Sequence, residues 1–112
     1  MERLEVLDAS FTNIPDIFFI EKDKNIKELI LNSCKNIEDF ILISKLERLE
    51  ILNVIRTNIS DISFIEKNKN IKKLNLNYCN IKDYKPISKL EKLEILDVSK
   101  TDIYNISFIE KK

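Results

Sequence analysis

Apolar and polar residues alternate over short stretches of this chain, five times, at a spacing of 22 or 23 residues. The frame is L-x-x-L-x-L-x-x-(T/C)-x-I-x-D-I-x-x-I, beginning at Leu4, Ile26, Leu49, Ile71 and Leu93. Alternation with period two is the mark of a strand with one buried face. Leu52 and Val54 share such a face, and the pair recurs as Leu7 and Ala9, Leu29 and Leu31, Leu74 and Leu76, and Leu96 and Val98. No single strand of this length could stand alone. Five of them stacked in parallel would join their backbones and build one continuous core. A repeat at this period therefore predicts a stacked solenoid.

The columns after the strand predict how each coil turns. Thr12, Cys34, Thr57, Cys79 and Thr101 place a hydroxyl or thiol where the chain bends inward, able to bond backbone groups freed by the bend. Asn13, Asn36, Asn58, Asn80 and Asp102 follow. Asn and Asp tolerate left-handed backbone best after Gly, and the chain has no Gly, so this column is expected to make the turn. The extra residue of the second repeat lies in Cys34-Lys35-Asn36-Ile37, where a loop should bulge. Asp16, Asp39, Asp61, Asp83 and Asn105 each precede a short apolar turn and are expected to cap its exposed N–H groups. A hard-cation site needs several oxygens converging on one ion, whereas this column supplies one per coil, so no metal is expected. Ile20, Ile43, Ile65, Ile87 and Ile109 close the coils, and mixed runs such as Glu66-Lys67-Asn68-Lys69 predict a solvated outer face.

A second period runs inside the first. Odd repeats end in Phe-Ile-Glu-Lys (Phe19 to Lys22, Phe64 to Lys67), even ones in Ile-Ser-Lys-Leu-Glu (Ile43 to Glu47, Ile87 to Glu91). Leu46 and Leu90 stand where odd repeats carry Asp23 and Asn68, while Phe19 and Phe64 stand where even ones carry Leu42 and Pro86. Volume compensation between neighbouring coils is the expected reason. Ser44-x-x-Glu47 and Ser88-x-x-Glu91 match a capping box, which predicts a clearer helical turn in even repeats.

Composition narrows the function. The chain has 112 residues, room for one domain with a small core. Its 19 basic and 19 acidic residues balance, without the basic excess of a nucleic-acid binder. No apolar run approaches the roughly 18 residues of a membrane span. It contains no histidine, no glycine-rich phosphate loop and no nucleophile–base pairing, so neither an enzyme nor a cofactor is expected. Cys34 and Cys79 share a column two repeats apart. Two strand steps make roughly 9.6 Å, beyond the roughly 7 Å that a disulfide bridges between Cα atoms, so both are expected as free, buried thiols. Met-Glu-Arg-Leu-Glu lacks the basic region of a signal peptide, which sets the expectation of a cytoplasmic protein or an excised piece of a larger one.

The L-x-x-L-x-L frame with Thr57-x-Ile59-x-Asp61-Ile62 resembles the leucine-rich repeat family. The 22-residue unit and its Ile-x-Asp-Ile signature look like the subclass of internalin-type adhesins and phosphatase-regulator-type repeats, and Asp83-Tyr84-Lys85-Pro86-Ile87 matches that subclass with Tyr for Ile. The resemblance covers essentially all 112 residues as one domain. It implies an α/β solenoid, a right-handed superhelix with five parallel strands on the concave side and short 3-10 or helical turns on the convex side. It also implies protein binding as the usual activity. Thr or Cys replaces the family's usual Asn in the ninth column, and both termini fall in phase with the repeat, as in an uncapped array or a fragment.

In this frame the strand residues that avoid the core face the concave side. Phe11, Ile30, Ile51, Ile55 and Tyr78 are apolar or aromatic there and are expected to form a patch, with Arg56 and Lys100 beside it and Asn53, Lys73 and Asn75 completing the contact set. The function this predicts is a non-catalytic adaptor that binds a protein partner on its concave face. The alternative is a self-associating module, a homodimer stacked through open repeat ends.

Overall fold

A computed structural model describes residues 4–99 of the chain. Within them each of the first four repeats is one coil, made of a three-residue strand, a bend, a five-residue 3-10 turn and a return, and the fifth contributes its strand. The strands are β1 (Val6–Asp8), β2 (Glu28–Ile30), β3 (Ile51–Asn53), β4 (Lys73–Asn75) and β5 (Ile95–Asp97). They form one parallel sheet in chain order. The register is the repeat frame itself: Leu7 pairs with Leu29, Leu29 with Leu52, Leu52 with Leu74 and Leu74 with Leu96. Pairing runs on past the strands, since the N–H groups of Ala9, Leu31, Val54 and Leu76 each donate to the next coil at 2.8–3.1 Å.

The core lies between the sheet and the turns. Leu29, Leu52 and Leu74 are fully buried from the sheet side, and Ile43, Ile65 and Ile87 from the turn side. The turns span Phe18–Lys22, Ile41–Lys45, Ser63–Lys67 and Lys85–Lys89. The aspartate column starts them as expected. Asp16, Asp39, Asp61 and Asp83 each accept, through Oδ1, the backbone N–H two residues on, at 2.9–3.1 Å. A single extra turn at Lys35–Asn36 absorbs the additional residue of the second repeat.

Volume compensation between odd and even coils extends further than the sequence pattern indicates. Phe64 and Pro86 are buried in one column. Two residues earlier the order reverses, with aromatic Phe40 and Tyr84 in even coils and Ile17 and Ile62 in odd ones, all buried. Each coil thus places its large ring where its neighbour is small.

Three expectations need correction. The left-handed residues are not the Asn column but Phe11, Ser33, Arg56 and Tyr78, with φ of 57–63°. The Asn side chains instead bridge coils: Asn36 Nδ2 donates to Asn13 O at 3.3 Å, and Asn58 Nδ2 donates to Lys35 O. Even coils have no clearer helical turn, because all four turns are five residues long. Ser44 and Ser88 sit inside them rather than at their starts, and their hydroxyls donate back to Ile41 O and Lys85 O at 2.7 and 2.8 Å, so neither opens a capping box. Finally, Asn68 is not on the solvated face. It is fully buried, and its Nδ2 donates to Ile43 O at 2.9 Å and Leu46 O at 3.2 Å. The neighbouring coil's turn carbonyls, which already accept the N–H groups of Leu46 and Leu49, take the amide as a second donor.

The Thr/Cys column also bonds backbone groups. Thr12 Oγ1 and Cys34 Sγ both donate to Ala9 O, at 2.8 and 3.0 Å. Thr57 Oγ1 and Cys79 Sγ do the same to Val54 O, at 2.9 and 3.0 Å. Both cysteines are free and buried. A buried side chain therefore stitches each of three junctions: Cys34 the first to the second coil, Asn68 the second to the third, and Cys79 the third to the fourth.

Candidate interaction surface

The strand residues between the leucines face away from the core and form rows across the sheet. Val6, Glu28, Ile51, Lys73 and Ile95 make one row, and Asp8, Ile30, Asn53, Asn75 and Asp97 the next. Beyond the strands, Ser10, Asn32, Ile55, Asn77 and Ser99 make a third, and Phe11, Ser33, Arg56 and Tyr78 a fourth at the bend. Of the predicted contact set, Ile30, Ile51 and Ile55 surround Asn53 in the middle of the sheet, each half-buried. Arg56 and Tyr78 stand together at the bend. Phe11 does not join them, because Ser33 of the intervening coil separates it from Arg56. Lys73 and Asn75 lie on β4. Lys100 lies outside the described residues.

Part of this surface is committed to holding the backbone. In the third row, the N–H of Asn32 donates to Ser10 Oγ at 3.2 Å, that of Ile55 to Asn32 Oδ1 at 3.0 Å, and that of Ser99 to Asn77 Oδ1 at 2.6 Å. Ile55 has no side-chain acceptor, so the Asn77 N–H turns to Asn75 Oδ1 at 3.0 Å. Asn75 is thus a structural group as well as a candidate contact. Asn53 Oδ1 is left buried without a hydrogen-bond partner among the described residues. At the two edges the hydroxyl and then the N–H of Ser10 hold the Asp8 carboxyl below its usual range. The Asn77 side chain, then Ser99, do the same for Asp97. Both carboxylates are ionised and tied to their own loops.

The fourth row is the conspicuous one. Left-handed backbone costs a non-glycine residue about 1–2 kcal/mol and is rare for bulky side chains. Three of the four residues held there are nonetheless large. Phe11 is 81% exposed and Tyr78 47%. The Arg56 guanidinium lies over the Tyr78 ring, 4.2 Å from its centroid. Sequence reasoning chose Phe11, Arg56 and Tyr78 for their chemistry but not for this conformation. Gly or Asn would have announced the bend, and neither is present there.

Among the described residues no three His, Cys, Asp or Glu side chains come together to hold a metal. The turn-side hollow between the second and third coils measures about 220 Å³, and the aspartates lining it, Asp39 and Asp61, are engaged by backbone N–H groups.

A family model described as leucine rich repeats (two copies) matches residues 69–110. Among solved structures, an internalin (inlF) from Listeria monocytogenes superposes with a TM-score of 0.83 at 25% identity, over 96% of this chain and 31% of that one. This is a leucine-rich repeat solenoid. Internalin C2 (inlC2) of the same organism matches with a TM-score of 0.61 at 18% identity, over 93% of this chain and 65% of its own. A leucine-rich repeat protein of Leptospira interrogans matches with 0.60 at 21%, over 85% of this chain and 31% of its own. No curated protein sequence matches. The leucine-rich repeat solenoid described here thus spans about a third of the length of the first internalin. Leucine-rich repeat folds serve generally as protein-interaction modules, typically without catalysis.

Proposed function

We propose that the chain is an adaptor that binds a protein partner across the outer face of its sheet, the concave side in solenoids of this family. One observation carries the reading: Phe11, Arg56 and Tyr78 are large, solvent-facing side chains held on left-handed backbone. The coil itself sets this bend, since Ser33 adopts it too, but the large aromatic and arginine side chains chosen there face solvent rather than the core, and such residues are the usual anchors of protein interfaces. The half-buried trio of Ile30, Ile51 and Ile55 supplies an apolar floor beside them. Tyr78→Ala and Ile55→Asp should each weaken partner binding by roughly thirtyfold or more, the scale of an interface anchor, with the circular dichroism spectrum unchanged. Pull-down at the wild-type level by both folded variants would place the interface elsewhere.

A second reading, stacking of the first coil on another copy, rests on a separate observation. Leu7, Ala9 and Ile14 are only partly buried, whereas their counterparts Leu29, Leu31 and Ile37 are fully enclosed. Light scattering over a concentration series distinguishes the two. A dimer broken by Leu7→Asp supports stacking, and a monomer at every concentration removes it. A cytoplasmic setting belongs to the same proposal, since both buried thiols act as hydrogen-bond donors in their reduced form.

A further inference from the structure

The Arg56–Tyr78 pair has a feature that general interface chemistry does not explain. Arg56 is exposed, and its guanidinium makes no ion pair with any described residue; the two ion pairs among them join Lys45 to Glu21 and Lys72 to Glu50. Stacking on Tyr78 holds the planar fork in place while leaving its N–H edge unused. Backbone bonds from Arg56 N–H to Asn77 O at 3.0 Å and from Tyr78 N–H to Ser99 O at 3.1 Å fix both residues to the sheet. Beside Tyr78 opens a hollow of about 540 Å³, lined by Thr57, Asn58, Ser60, Asn80 and Lys82 among others. Lys82 is its only charged lining residue, and its ammonium also acts on the nearby Asp61 carboxyl, whereas no carboxylate lines the hollow itself. A fixed, unpaired guanidinium next to a carboxylate-free hollow with amide, hydroxyl and ammonium groups is complementary to an anion. On a surface that binds protein, the matching group is an Asp or Glu side chain.

We propose that Arg56, stacked on Tyr78, receives a carboxylate from an acidic segment of the partner protein, docked on the third- and fourth-coil half of the sheet face. This rests on the reading that the outer sheet face binds protein. Arg56 would form the paired, charge-assisted hydrogen bonds that a planar fork offers a carboxylate, and Lys82, which lines the hollow, would add a second positive charge.

The test is selection from a random peptide library against the immobilised wild-type chain, Arg56→Gln and Ile55→Asp. Wild type should select peptides with Asp or Glu at one fixed position beside apolar residues. Arg56→Gln should lose the acidic preference and keep the apolar one, and Ile55→Asp should lose both. For the best peptide made singly, changing that Glu to Gln, or using Arg56→Gln, should weaken binding about tenfold or more, and Arg56→Lys should recover part of it. The peptide change needs no altered protein, so folding cannot confound it. No acidic position in the selected set, or an acidic preference that survives Arg56→Gln, overturns the carboxylate site while leaving the sheet-face reading intact. Peptides that bind Ile55→Asp as tightly as wild type, or no selected peptides at all, overturn both.

Discussion

Adjacent residues on one strand obey opposite rules. Leu29, Leu52 and Leu74 are the same residue in three successive coils, stacked in register and fully buried. Their neighbours one position earlier, Glu28, Ile51 and Lys73, stack in the same register and are acidic, apolar and basic. The backbone geometry is identical, so only the surroundings differ. Inward positions meet the same neighbours in every coil, and one side chain solves the packing each time. Outward positions such as these three are not packed into the core, so packing does not fix their identity and it is left to whatever approaches from outside. In a repeat protein, uniformity along a column therefore reports packing, and variety along a column marks the surface where specificity can reside.

The contrast can be broken most sharply at its centre. Leu52→Ala should destabilise the fold by about 2–5 kcal/mol, since the surrounding coils cannot collapse into the gap, whereas Ile51→Ala should cost about 1 kcal/mol or less. Urea unfolding of the two variants measures both, and equal costs would dissolve the distinction between the faces. Next in size is Asn68→Ala, which removes a fully buried amide and its two bonds to the Ile43 and Leu46 carbonyls and should cost about 1–3 kcal/mol despite lying in a charged run. Smaller and opposite in sign is Phe11→Gly. Relief of left-handed strain should exceed the entropy cost of glycine, raising stability by about 0.5–1 kcal/mol, read as a higher urea midpoint. A gain there, at a residue proposed to touch the partner, would separate what the fold wants from what the surface is for.

The smallest effect concerns acid. The backbone N–H of Ser63, then its hydroxyl, and Lys82 hold the Asp61 carboxyl below the ordinary value of 3.8. A carboxylate lowered on folding contributes stability that is complete above that value and is lost as the pH falls through the lowered one. Asp61→Asn keeps the acceptor for Ser63 N–H and removes the titration, so its acid-unfolding curve, followed by circular dichroism, should be slightly shallower below pH 4.

The repeat made most of the fold legible. Strand positions, register, the aspartate bonds, the hydroxyl and thiol bonds and the bulge at Lys35–Asn36 all follow from columns that recur, because each coil restates the same local problem. Two features were not legible, for different reasons. The left-handed bend was hidden because its usual residues are missing: Phe11, Ser33, Arg56 and Tyr78 carry no conformational signature. Asn68 was hidden because a lone amide between lysines reads as surface, and only its bonds to the neighbouring coil's turn carbonyls explain its burial. The candidate surface was legible as a list of outward residues. Which of them are free to touch a partner was not, because Asn32, Asn75 and Asn77 spend acceptors on backbone N–H groups of their own or the next coil.

The alternating stitches limit how such an array can change length. A thiol joins the first coil to the second and the third to the fourth, and an amide joins the second to the third. Removing one coil would set two like coils side by side, losing the side chain that stitched the junction and placing a ring against a ring. Removing two restores every partner. Gains and losses of sequence should therefore be tolerated in lengths of about two coils and penalised at one, so that the heritable unit of this molecule is twice its visible repeat.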